Sequence, residues 1–160
     1  MSLSVHIAHS GTDVTITFNG MLDETCQLPE FSEPIMGRVE IHLERLHMIN
    51  SLGCRKWAIW LRDKVKAKGG ITLVKCSPVI VNQISILEGF LPTGANVQSF
   101  FVPYFCEKCS HEERVLFREG IDYAKGKPPK VNDHLDCPKC HASMELEVVP
   151  EKYLRYFLVA

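Results

Sequence analysis

Val39-Glu40-Ile41-His42-Leu43-Glu44 alternates apolar with polar residues, the period-two pattern of a strand with one buried face. A short way on, the chain reads Ser51-Leu52-Gly53-Cys54-Arg55-Lys56-Trp57-Ala58-Ile59-Trp60-Leu61 and the period changes. Trp57, Trp60, Leu61 and Val65 recur at helical spacing, which predicts a helix from Leu52 to Lys68. Ser51 is a good N-cap, the basic residues near the end suit the helix dipole, and Gly69-Gly70 is a plausible C-cap. Working outward, Val5 and Ile7 begin an extended segment, and His9-Ser10-Gly11-Thr12-Asp13 is turn chemistry. Val14, Ile16 and Phe18 then alternate with polar residues, so these two segments read as a hairpin. Residues 23–38 carry Pro29, Pro34 and Gly37 and read as a loop or a short helix. Ile71-Thr72-Leu73-Val74 is a further strand. Pro78 starts a second helix through Ile80, Val81, Ile84 and Leu87, and Val97 to Val102 is a last strand. Strand–helix–strand–helix–strand implies parallel neighbours with helices over the sheet, an α/β layered domain.

The 160 residues suffice for one domain of about a hundred residues and a small module. Nearly half are apolar, which supports a packed core rather than disorder. A net charge of −1 argues against a general electrostatic grip on nucleic acid or on an anionic membrane. No apolar run approaches the roughly 20 residues of a membrane helix. The start, Met1-Ser2-Leu3-Ser4-Val5-His6, has neither a basic region nor an apolar signal core. A cytoplasmic protein with reduced thiols is the expectation, and the seven cysteines then favour metal over disulfides. Cys26, Cys54 and Cys76 are scattered and read as small buried apolar residues.

Gly20-Met21-Leu22-Asp23 follows the second strand, and Asn50-Ser51-Leu52-Gly53 joins the third strand to the long helix. In their order and spacing within this strand pattern, the two motifs resemble the STAS domain of sulphate transporters and anti-sigma factor antagonists. The resemblance covers residues 1–102 and implies a mixed sheet covered by helices. It also implies binding to a kinase that is itself the anti-sigma factor, under control of phosphorylation of a serine at the start of the central helix. By position that phospho-acceptor is Ser51, and Asp23, Asn50, Ser51, Leu52 and Gly53 form the implied partner-binding surface. The chain departs from the family where Asn50 stands for the usual acid and Leu52 for a frequent Ser or Thr.

Ser51 also makes physical sense as a switch. A phosphate at a helix N-terminus meets free N–H groups and the positive end of the dipole, and adds up to about two negative charges to a surface. The bland alternative is that Ser51 only caps the helix. Trp57 and Trp60 share a helix face and read as core. Arg55, Lys56, Arg62, Lys64, Lys66 and Lys68 make a basic face, ordinarily a solvated one.

Beyond residue 102 the chemistry changes. Cys106-Glu-Lys-Cys109 and Cys137-Pro-Lys-Cys140 are two identical clamps, each able to aim two sulfurs at one point. Together they form the four-thiolate shell of a structural zinc site. Residues 103–150 therefore read as a small β module resembling rubredoxin-like zinc ribbons, with strands at Val115-Leu116-Phe117 and Met144–Val149. A module of about 45 residues needs such a staple. Iron fits the same four thiolates. Cys137-Pro-Lys-Cys140-His141 also matches covalent haem attachment, but that leaves the first clamp unexplained. Neither clamp opens a helix after a strand, as a thioredoxin-like pair would. His111, His134 and His141 are surplus to a filled shell.

Basic residues 114, 118, 125, 127 and 130 are interleaved with acids, so nucleic-acid binding is not expected. The apolar tail within 151–160 is expected to pack on one module or to mediate self-association. No paired carboxylates, phosphate-cradling loop or nucleophile with an evident base stand out, so the expectation is a non-enzymatic signalling protein. A metal- or redox-sensing regulator working through the clamps, and a nucleic-acid-binding ribbon on a STAS scaffold, are the alternatives.

Overall fold

The computed structural model describes residues 2–158. The chain is mixed α/β. A five-stranded mixed sheet has the spatial order β1 (Ser4–Ser10), β2 (Asp13–Leu22), β3 (Val39–Ile49), β4 (Ile71–Val74), β5 (Asn96–Val97). β1 and β2 form the expected antiparallel hairpin, and every later neighbour is parallel. Alternation decides the faces. Val14, Ile16, Phe18 and Leu22 on β2, and Val39, Ile41 and Leu43 on β3, are buried against the helices. Thr15, Thr17, Glu40 and His42 lie on the other face, and His42 Nε2 is 2.6 Å from Glu40 Oε1.

Helix α1 (Ser51–Ile59) follows β3, and helix α2 (Pro78–Ile86) follows β4. The helix predicted to reach Lys68 is shorter. It passes at Trp60 into a π-helical turn over Trp60–Lys64, where Val65 N–H reaches back to Trp60 O. Val65 is extended, because the next residues pair with the β2–β3 connection. Lys66 O accepts from Ile35 N–H at 2.6 Å, and Lys68 N–H donates to Ile35 O at 2.9 Å. Residues 23–38 contain no helix and make the parallel crossover as a loop. Trp57 and Trp60 are core, edge-on to Phe18, with their indole N–H groups donating to Phe90 O and Pro29 O. The basic helix face is solvated at Arg55, Arg62, Lys64, Lys66 and Lys68.

The expected strand Val97–Val102 is instead a handover between sheets. After β5, Gln98 N–H bonds Leu73 O, and β6 (Ser99–Phe105) enters a second, antiparallel sheet of order β7 (Glu112–Arg118), β6, β9 (Ser143–Leu146), β8 (His134–Asp136). Residues 102 and 103 lie inside β6. The sheets stay joined through Cys76, whose backbone bonds Ser99 O and Phe101 N–H. The tail folds into short helices α3 (Pro150–Tyr153) and α4 (Arg155–Leu158) and packs on both parts. Tyr153 O accepts from Ser85 Oγ on α2, the Tyr153 hydroxyl donates to Phe101 O on β6, and Phe157 stacks on Phe100 with centroids 4.2 Å apart. One continuous core runs from Val14 to Phe157. Val159 and Ala160 of the apolar tail lie outside the described residues.

Candidate functional site

Two constellations carry chemistry, and the fold builds them separately. The first lies where β2 and β3 end side by side. Leu22 O accepts from Asn50 N–H at 3.2 Å, tying the two sequence motifs together. Gly53 packs on that same carbonyl, and a Cβ there would strike Leu22 O and C. Gly20 is comparably pinched: its φ is +115° and a Cβ would strike Ser2 O. The glycines of both motifs are therefore points of close backbone approach.

The cap of α1 is Asn50, not Ser51. Asn50 Oδ1 accepts from Gly53 N–H at 2.7 Å, and its amide donates to Glu24 Oε2 at 2.8 Å. The cap needs an extended backbone with a side-chain acceptor that reaches the unpaired N–H three residues on, and Asn50 (ψ 176°) has it. Ser51 is the first helical residue, exposed, beside Leu52, which is 53% exposed. Asp23 closes a turn, accepting from the Thr25 hydroxyl at 2.6 Å and the Thr25 amide at 2.9 Å. These Thr25 bonds hold its carboxyl below the usual range, and the Asn50 amide does the same for Glu24. Asp23, Asn50, Ser51 and Leu52 thus come together at the surface, whereas Gly53 is buried against Leu22 and serves the patch only through its backbone. Glu24 belongs to it as well through its bond to Asn50, and no spacing in the sequence marks it.

The second constellation gathers all four clamp cysteines. The sulfurs of Cys106, Cys109, Cys137 and Cys140 lie within 4.8 Å of one another. Two gaps are 3.5 Å (Cys106–Cys140) and 3.6 Å (Cys109–Cys137), far beyond the ~2.05 Å of a disulfide bond. Metal–sulfur bonds of ~2.3 Å in a tetrahedron put sulfurs ~3.8 Å apart, so the donor set and its spacing fit a divalent ion. Each clamp is the same backbone device. Cys106 N–H bonds His111 O and Ser110 N–H bonds Cys106 O; Cys137 N–H bonds Ala142 O and His141 N–H bonds Cys137 O. Ser110 (φ 61°) and His141 (φ 63°) both adopt the left-handed turn that closes the knuckle. The first knuckle joins β6 to β7, and the second joins β8 to β9.

Burial would raise the Cys137 thiol, but the amides of Cys140 and Lys139 and the neighbouring sulfurs outweigh it and bring it down to about 6. The His111 amide lowers the Cys109 thiol, but desolvation and the other three sulfurs push it up to about 12. Cys106 and Cys137 are buried, while Cys109 forms an exposed lip.

Comparison with known proteins finds no matching family model, no matching curated protein and no matching solved structure.

Among the other residues weighed in the sequence, Cys54 and Cys76 are buried, and burial raises both thiols. Cys26 is only half-buried; its thiol donates to Met21 O at 3.3 Å in the Asp23 turn. His134 and His141 are exposed, and His141 serves the knuckle through its backbone. His111 Nε2 is buried without a hydrogen-bond partner among the described residues, with Glu113 Oε2 3.5 Å away. Among the described residues no helix is long and apolar enough to cross a membrane.

Proposed function

We propose that this chain is a non-enzymatic binding protein, similar in action to an anti-sigma factor antagonist, that docks a kinase- or anti-sigma-type partner on the Asp23/Asn50–Gly53 patch. The observation that carries the reading is the exposed Ser51 on the first turn of α1, next to exposed Leu52 and to Asn50, which holds Glu24 of the acidic pair Asp23 and Glu24. An exposed apolar side chain beside charge suits a protein partner. A phosphoryl group on Ser51 would sit at the helix N-terminus yet beside two carboxylates, so it would change the charge of the patch strongly while the cap on Asn50 stays intact. Zinc held by Cys106, Cys109, Cys137 and Cys140 is structural in this reading, and the site of action is cytoplasmic.

Affinity capture from the native cell, comparing metal-loaded Ser51→Ala with Ser51→Asp, tests the reading. A kinase-like or anti-sigma-type partner held by one variant and lost by the other supports it. Identical partners on both, or none on either, removes the switch.

The exposed lip at Cys109 favours a second reading, a metal- or redox-sensing regulator. Mild oxidant with simultaneous thiol and metal assays decides it. Clamps that keep their metal under oxidant end that reading.

A further inference from the structure

The second sheet ends on an open edge. β7 pairs with β6 on one side and with no strand on the other among the described residues. Its ends reveal which residues bond inward. Cys106 N–H donates to His111 O, and Glu119 N–H donates to Gln98 O, so odd-numbered positions face β6. Strand backbones alternate, so Glu112, Arg114, Leu116 and Arg118 present N–H and C=O groups outward. Both groups of Arg118 are taken, its N–H by the Asp122 carboxylate at 2.8 Å and its C=O by the Asp122 amide at 2.8 Å, so Arg118 joins the edge through its side chain only. The outward groups of Arg114 and Leu116 have no partner among the described residues. Edges are commonly blunted by bulges, prolines or brevity. This one is seven residues long and pairs in unbroken register, with half-buried Val115-Leu116-Phe117 at its centre.

The charge order of Glu112-Glu113-Arg114-Val115-Leu116-Phe117-Arg118 selects the occupant. We propose that β7 pairs antiparallel with β7 of a second copy about a two-fold axis at Val115, fusing the two antiparallel sheets into one. Centring on Arg114 sets that arginine against itself. Centring on Leu116 sets Arg114 against the partner's Arg118, and centring on Glu113 sets two carboxylates together. Only the Val115 centre places Glu112 opposite the partner's Arg118, and symmetry makes that pair twice. In the same register the outward groups of Arg114 and Leu116 meet those of the partner's Leu116 and Arg114, the groups left open in a single copy. A groove lined by Val115, Phe117, Pro129 and the 69%-exposed Ile121 lies on the Val115 face. The partner's Val115 and Phe117 extend its apolar wall.

Light scattering and sedimentation of the metal-loaded full chain, from micromolar to near-millimolar concentration, test the pairing. The wild type is expected at twice 18.1 kDa at the upper end. Leu116→Pro removes an outward N–H at a position where an edge strand tolerates proline, leaves the bonds to β6 in place, and is expected to give the single-chain mass with metal content unchanged. Arg118→Glu sets two carboxylates together in each pair and is expected to weaken association roughly tenfold. Adding Glu112→Arg to it is expected to restore association. A single-chain mass for the wild type throughout, or a dimer indifferent to both Leu116→Pro and Arg118→Glu, overturns the proposal.

Discussion

At Asn50 one side chain does two jobs, and they separate by mutation. Its oxygen satisfies the Gly53 N–H, and its amide holds Glu24. Asn50→Ala removes the cap, which costs about 1 kcal/mol and should lower the melting temperature by roughly 2–4 °C. The Glu24 bond is a separate readout. Glu24 titrates below its usual value because the Asn50 amide donates to it, so this bond favours the fold above the ordinary carboxylate value and is lost as pH falls through the lowered one. In Asn50→Ala the Glu24 titration, followed by carboxyl NMR, is expected to move up. An unmoved titration would mean that the bond does not persist in solution. Gly53 poses a contest of magnitudes. Alanine raises helix propensity by up to about 1 kcal/mol over glycine. Here, however, its Cβ would meet the Leu22 carbonyl, a backbone group that cannot swing aside. Overpacking costs about 1–3 kcal/mol, so Gly53→Ala should be net destabilising by urea denaturation. A stabilised variant would contradict the close approach.

Among the elements, the knuckles were the most legible, because a Cys-x-x-Cys pair is a local device that needs only the next two residues to close. The helix over Leu52–Lys68 was legible as far as its local period governs. Its end was not, because Val65–Lys68 is captured by Ile35, a residue thirty positions earlier that leaves no mark on periodicity. Serine as the cap was a natural reading of Ser51, but the chain enters the helix one residue sooner, through Asn50. The knuckles also set a pH dependence. Cys137 is held at about 6, well below its ordinary 9.0, so the thiolate favours the folded cluster above 9.0 and loses that advantage as pH falls through 6. Cys109 at about 12 must give up its proton to any metal. Metal affinity is therefore expected to rise with pH and to fall steeply below about 6. Competition with a chromophoric chelator across that range checks it, and an affinity flat with pH would refute the thiolate shell. The tail helices give a second test at this scale. Phe157 is 7% exposed, stacked on Phe100 and edge-on to Tyr123. Phe157→Ala should cost about 3 kcal/mol, read as a lower denaturation midpoint with unchanged slope.

Over the whole molecule, the chain announces two chemistries but conceals that they share one core. The joints are all between residues remote in sequence: Cys76 with Ser99 and Phe101, Ser85 with Tyr153, and the Tyr123 hydroxyl with Val97 O. None has a local signature, and the apolar tail gave no hint that it would sit across both sheets. The shared core has a thermodynamic consequence that separates it from two independent modules. Trp57 and Trp60 report on the first sheet, far along the chain from the clamps, and both are buried beside Phe18. If the cysteine module stood alone, stripping its metal would leave the tryptophan transition where it was. Here β6 runs from the Cys76 bridge straight to Cys106, so loosening the knuckles loosens the strand that carries Phe100 and Val102 into the shared core. Metal binding to the native state alone stabilises every element in its cooperative unit. Chelation is therefore expected to lower the tryptophan-monitored stability by about 2 kcal/mol or more, in step with loss of the second sheet's circular dichroism. Re-addition of zinc should restore both signals together. A tryptophan transition unmoved by chelation, with the second sheet melted, would show the two parts to be energetically separate.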